Sequence, residues 1–463
     1  MLIFTIFKRI LRCINEKQKK RLFLLQLLSF LSALINVLTV LMIAPFIALL
    51  TDSKMVLDYK IFEVFENLRL MSSDNIVFSF SLVFVIFLAL SSLSNLLISY
   101  LNLKWSAEIQ IYFSSTLYDF FIDRDWIFHA NSSSSSLIGK IHSDTERLTS
   151  SLISPFIELM TNSVLALFLF ITILYVNFKI ALLLILVLII SYIFFYLLFS
   201  KSLLLMGINL SKLYPKYFKY LFEGLTSIRD SILFNKIKYF KTNFLKNLGS
   251  LKNLTVKEQF ITKLPRSIVE VLFFTCVVGY MYYLAGVLNY NLLDFSPTIA
   301  FYAICAIKII PALQKIFNSF SSIRIHSSSF DSIENDLLNA KKEKRLLQND
   351  FQNNKKIKFN KLLELKDISY IYPGTKDAGV FNVNLKIPYK STVGFYGKTG
   401  SGKSTVVDLM LGLLKPDNGK VVVDGNDVSE NTKSWQENLS YVPQQFFIYD
   451  EKLKNNIAFG EDE

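Results

Sequence analysis

The sequence predicts two domains of different class. An all-α domain of six transmembrane helices with long intracellular helix extensions fills 1–347, and an incomplete α/β domain fills 362–463 after a linker over 348–361. Three observations predict this. Hydrophobic residues make up 52% of the 463 and the mean hydropathy is +0.39, too apolar for a soluble chain. Six apolar stretches reach the roughly 20 residues that a bilayer crossing needs. Near the other end stands the run Gly397-Lys-Thr-Gly-Ser-Gly-Lys-Ser-Thr405.

Residues 1–21 are basic but lack an apolar core with a small-residue cleavage site, so they read as an amphipathic helix on the inner leaflet rather than a removable signal. The spans are predicted at 22–50, 76–101, 159–176, 180–199, 268–288 and 298–320. Lys17, Lys19, Lys20 and Arg21 precede the first span, and the segment 201–266 is rich in lysine. By contrast, 52–75 carries Asp52, Asp58, Glu63, Glu66 and Asp74. The positive-inside rule then puts both termini in the cytoplasm. Within 52–75, Leu57, Ile61, Val64, Phe65 and Leu68 trace one helical face suited to the outer leaflet.

The segments 104–154 and 201–266 are too long for turns. Leu210, Leu213, Tyr217, Tyr220 and Leu221 recur at helical spacing, so the spans are expected to continue as helices beyond the membrane. The serine run 131–136 either caps a short cross-helix beginning near Leu137 or forms a flexible linker. Residues 331–347 read as a charged helix, and 348–361 as a polar, basic linker. The net charge of +13 collects in loops beside apolar segments, which a cytoplasmic membrane face explains better than a nucleic-acid partner. Cys13, Cys276 and Cys305 have neither disulfide-framework nor metal-site spacing.

The run 397–405 fits G-x-x-x-x-G-K-[ST], the phosphate-binding loop of P-loop NTPase domains. Its glycines let successive amides curl around phosphate oxygens while the next helix points its positive end at them. A strand over 392–396 is expected to lead in, and a helix over 404–414 to lead out. Gly397, Lys398, Thr399, Gly400, Ser401, Gly402, Lys403, Ser404 and Thr405 would form the nucleotide cradle. Lys403 would reach the β- and γ-phosphates and Ser404 would hold Mg²⁺.

The stretch from "DISYIYPG" through "GKTGSGKSTVVDLMLGLLKPDNGKVVVDGNDV" resembles the nucleotide-binding domain of ABC transporters of the six-span exporter class. The resemblance implies ATP and Mg²⁺ as cofactors, with Tyr372 stacking on adenine and Gln444 of "YVPQ" touching Mg²⁺ and the attacking water. It also implies a second subunit, in a homodimer or heterodimer. "EGLTSIRDSILFNKIKYF", "QFITKLPRSIVE" and "KIIPALQKIFNSFSSIR" resemble bacterial flippases of lipid-linked oligosaccharides, which implies an inner-membrane location and a membrane lipid or lipid-linked glycan as cargo. Such a cargo needs cations in an apolar path. Arg266, Lys308 and Lys315 are the candidates to grip its diphosphate; alternatively Arg266 and Lys315 sit at the cytoplasmic interface and Lys308 snorkels or pairs with an acid.

The sequence departs from the family pattern after Gln444. It shows no LSGGQ-like run, no strand ending in paired acids and no later histidine, since His129, His142 and His326 all come earlier. The expectation is a chain that holds Mg-ATP without a general base of its own, its phosphate-loop strand lacking neighbours. A truncated flippase subunit, a non-hydrolysing ATP-binding half of a heterodimer and a nonfunctional remnant all stay open at this point. Peptides and drugs stay open as cargo.

Overall fold

The computed structural model describes residues 2–43, 45–47, 76–176, 178–283, 286, 296–347, 356–375, 378–443, 448, 450–458 and 460. The predicted external face Leu57 to Leu68 and Gln444 lie outside the described residues. Backbone contacts divide the chain into two compact units, Met1–Ile122 with Ser134–Arg345, and Asp123–Ser133 with Leu346–Glu463.

The first unit is helical throughout. Helix α1 (Leu2–Cys13) turns Ile6, Ile10 and Cys13 inward. Asn15 then starts α2 (Glu16–Leu41) with a capping box, its side chain accepting from the Gln18 amide while Gln18 returns a bond to the Asn15 amide. The expectation that α1 lies on a leaflet needs amending, because its apolar face is covered by the chain itself: Phe7 stacks on Phe156 at 5.0 Å. Arg9 meets Asp331 and Glu334.

Next come α3 (Ile76–Ile122), α5 (Ser134–Ile138) and α6 (Thr145–Leu148), with α4 (Trp126–Asn131), between α3 and α5 in the chain, belonging to the second unit. Single π-helical segments, Gly139–Asp144 and Thr149–Ile153, flank α6 before α7 (Ser154–Val176). The serine run therefore does not cap a helix near Leu137. Ser132 and Ser133 break the chain between α4 and α5, and Ser134 already lies inside α5. The unit closes with α8 (Phe178–Thr226), α9 (Ile228–Leu233), α10 (Ile237–Tyr282), α11 (Ser296–Asp331) and α12 (Glu334–Leu347). The predicted 331–347 helix is thus split at 332–333.

Among the described residues, six helices are long and apolar enough to cross a membrane. Helices α3, α8 and α10 run 47, 49 and 46 residues. At about 1.5 Å per residue they measure roughly 70 Å against a hydrocarbon core of roughly 30 Å, so each continues well past it. Burial of Leu169, Leu188, Phe273 and Phe301 marks where α7, α8, α10 and α11 meet. Gly207 lets α8 and α11 close further, since a Cβ there would lie 2.1 Å from the Ile325 carbonyl oxygen.

The second unit is built on an antiparallel sheet ordered β2-β1-β3-β4, from β1 (Leu362–Ile371), β2 (Gly379–Pro388), β3 (Asn418–Val423) and β4 (Asn426–Asp427). Alternation buries Leu363, Leu365, Ile368 and Tyr370 of β1 with Val421 and Val423 of β3. Helices α13 (Lys403–Met410) and α14 (Thr432–Gln436) add Val406, Leu409 and Trp435, and α15 (Leu453–Ile457) follows. Ile127 of α4 packs against this same core. Asp424 anchors the start of β1 by accepting from the amides of Asn360, Lys361 and Leu362 at 2.6–2.9 Å. These bonds, that from Leu362 foremost, hold its carboxyl below the usual aspartate range.

The strand predicted over 392–396 is absent. These residues belong to no strand or helix and are exposed, Tyr396 fully so. An apolar run of five residues becomes a strand only where a neighbouring ladder accepts it, and no described strand lies beside this one. The helix after the loop ends at Met410 rather than Leu414, because Gly412 takes a φ of +71°. The Leu413 amide then bonds back to the Asp408 carbonyl at 2.9 Å, a glycine-terminated C-cap.

Candidate functional site

The phosphate-binding loop begins at Gly397 and ends in the first turn of α13. Gly402 occupies the helix N-cap with a φ of +86°, and a Cβ there would meet Val380 Cγ1 at 2.5 Å, so only glycine fits. Gly400 also has a positive φ, +84°. Lys403 bends back over the loop: its Nζ donates to the carbonyls of Gly397 at 2.9 Å and Lys398 at 2.8 Å. That posture sets a cation over a turn whose helical amides have no intrahelical acceptors. Ser404 is exposed beside it, while Thr405 is buried.

Tyr372 follows directly on β1 and reaches the same place, its hydroxyl 3.1 Å from Thr405 Oγ1 and its ring at an edge to Tyr370. The structure thus brings together Tyr372 and Gly397 to Thr405, residues separated by more than twenty positions in the chain. Burial raises the Asp408 carboxyl one turn further along α13.

In the first unit, α2, α3, α7 and α11 line an open cavity of about 360 Å³. Lys308 and Lys315 both line it. Lys308 Nζ donates to Asn36 Oδ1 and Ser91 Oγ, each at 2.9 Å. Asn36 is fully buried and also accepts from Ser91 at 2.8 Å and Asn95 at 3.3 Å. The lysine is therefore held by neutral groups rather than by an acid. Arg266 is not part of this cavity; its Nε pairs with Glu270 of its own helix at 2.8 Å on an exposed face. Of the three cations expected to act together, two do share a site.

Sequence reading missed Glu158, Asn36, Asn95 and Asn102 of this cavity, and Ser91 that holds Lys308 beside it. The signal was present. Ser29, Ser32, Asn36 and Thr39 recur every three or four residues along α2, a polar stripe on a helix otherwise apolar enough to span.

Long apolar helices in six candidate spans, followed by a phosphate loop at a helix N-terminus, define a multi-pass membrane protein with a nucleotide-binding domain. Residues 22–310 match the family model of the ABC transporter transmembrane region, and residues 380–462 match that of the ABC transporter. The chain belongs to the ABC transporter family, with the family's transmembrane region over 22–310 and its nucleotide-binding region over 380–462. It is similar to the ATP-dependent lipid A-core flippase of Salmonella typhimurium (strain LT2), 35% identical over 102 residues. The protein of the same name from Escherichia coli (strain K12) is 34% identical over 102 residues. Each match covers 22% of this chain and 18% of the relative, so the aligned part spans less than a fifth of the curated relatives.

Proposed function

We propose that this chain is a subunit of an ATP-driven flippase that moves a lipid-linked oligosaccharide, or a similar amphipathic lipid, out of the cytoplasmic leaflet of the inner membrane. The observation that carries the reading is the polar cavity among apolar spanning helices, with Lys308 at membrane depth and Lys315 on the same wall. A cation among spanning helices is costly unless it serves a ligand, and a diphosphate headgroup is the ligand it suits.

In this reading Gly397, Lys398, Thr399, Gly400, Ser401, Gly402, Lys403, Ser404 and Thr405 cradle the triphosphate. The Lys403 ammonium exchanges the carbonyls of Gly397 and Lys398 for phosphate oxygens, which needs no more than a side-chain rotation. Mg²⁺ would be held by Ser404, with Gln444 completing its contacts, and Tyr372 would offer its ring to the base. These groups bind and orient the nucleotide; bound Mg²⁺ would supply charge neutralisation between the phosphates. Both termini lie in the cytoplasm, and a second subunit, identical or not, completes the transporter. Arg266, outside the cavity and paired with Glu270, is left as an interfacial cation.

Flipping in proteoliposomes tests this, using the complex that the chain forms when purified from membranes. A fluorescent polyprenyl diphosphate oligosaccharide should lose access to an external quencher when Mg-ATP is added, and Lys403→Ala should abolish that loss. Transport that proceeds at the same rate in Lys403→Ala would overturn the reading.

A further inference from the structure

Two features of the cavity go unused if its ligand is only an anion. Glu158 projects from α7 into the lining that also holds Lys308 and Lys315. Among the described residues no ion pair within 4.0 Å joins Glu158 to any cation, although Lys315 lines the same cavity. A carboxylate left without a direct partner among apolar helices is as costly as an unpaired lysine, and it would repel the phosphate that the lysines attract. The second feature is Asn102, 6% exposed, which lines the same cavity with its side-chain carbonyl oxygen bonded to nothing. Its amide is already committed to Ser154 Oγ, so what remains is an acceptor waiting for a donor.

We propose that the headgroup taken by this cavity carries a primary ammonium beside its diphosphate: Lys308 and Lys315 take the diphosphate, and Glu158 with Asn102 takes the ammonium of an amine-bearing sugar. This rests on the lipid-flippase reading and narrows its cargo. The charges balance. Two lysines and one glutamate give the cavity a net charge opposite in sign to that of a diphosphate diester bearing one ammonium. Lys308 and Lys315 lie seven residues, about two turns, apart on α11, so both fall on the side of the helix that lines the cavity. A volume of about 360 Å³ falls within the range of ligand pockets, about 300–1,000 Å³.

The test is equilibrium binding to the full chain in lipid nanodiscs, read by native mass spectrometry, with short-chain polyprenyl diphosphates bearing either glucosamine or glucose. Wild type should bind the glucosamine form about tenfold more tightly than the glucose form. Glu158→Gln should erase that preference without weakening the glucose form, Glu158→Asp should keep part of it, and Lys308→Met should weaken both. Equal binding of the two sugars by wild type, or a preference that survives Glu158→Gln, overturns the inference while leaving the flippase reading intact. Failure of every diphosphate lipid to bind overturns both. Phosphatidylethanolamine separates a lipid-borne ammonium from a sugar-borne one: binding it as tightly as the glucosamine form would contradict the assignment to a sugar.

Discussion

At the scale of single residues, the loop around Lys403 is held open by glycine geometry and closed over by its own lysine. Gly402→Ala must both strain a φ of +86° and push Val380 aside. That should destabilise the domain by about 1–3 kcal/mol and lower nucleotide affinity, read as thermal unfolding of the full chain with and without Mg-ATP. Lys403→Ala removes charge-assisted bonds to phosphate worth about 1.5–3 kcal/mol, which predicts a ten- to hundredfold rise in Kd for ATP with unfolding temperature unchanged. Asp424 carries a pH dependence. Its folded pKa lies below the ordinary aspartate value of 3.8, so its anchoring of β1 is complete above that value and is lost as pH falls through the depressed folded one. The protection factors of the amides of Asn360 to Leu362, taken relative to their slower intrinsic exchange in acid, should therefore fall on acidification in wild type, while in Asp424→Asn they should already be low at neutral pH. A neutral-pH protection pattern in Asp424→Asn identical to wild type would remove Asp424 from this role.

At the scale of elements, packing between helices is limited by small residues and fixed by polar side chains. Gly207 sits where α8 crosses α11, and the 2.1 Å separation a Cβ would have from Ile325 cannot be met without parting the helices. Gly207→Leu should lower the unfolding temperature by several degrees in detergent, and an unchanged temperature would show that the crossing is looser than described. Much of this level was legible beforehand. Apolar runs gave six spanning helices, and Leu210, Tyr217 and Leu221 announced that α8 continues past the bilayer. Where reading failed, a partner from elsewhere decided the outcome. Residues 392–396 have strand composition, yet strand formation is a property of the ladder and not of the segment. The 404–414 helix ran long because the pattern of apolar residues says nothing about the backbone angle that Gly412 would adopt. The cavity was half visible: Lys308 stood out as a charge in a span, while Asn36 and Ser91, its actual partners, are distant in sequence and individually unremarkable among membrane helices.

At the scale of the whole molecule, the family assignment rests on matches to both halves, and each half contributes a site of its own: a phosphate loop in one unit, a charged cavity in the other. Tyr372 shows how the sheet serves the loop, for β1 delivers its hydroxyl to Thr405 from thirty-three positions away. In the proposed function the amides around Lys403 bind Mg-ATP. The most direct measurement is photo-crosslinking of 8-azido-ATP to the purified full chain in nanodiscs. Labelling should saturate, require Mg²⁺, be displaced by ATP and fall at least about tenfold in Lys403→Ala. Labelling that is indifferent to Mg²⁺ and equal in wild type and Lys403→Ala would contradict it.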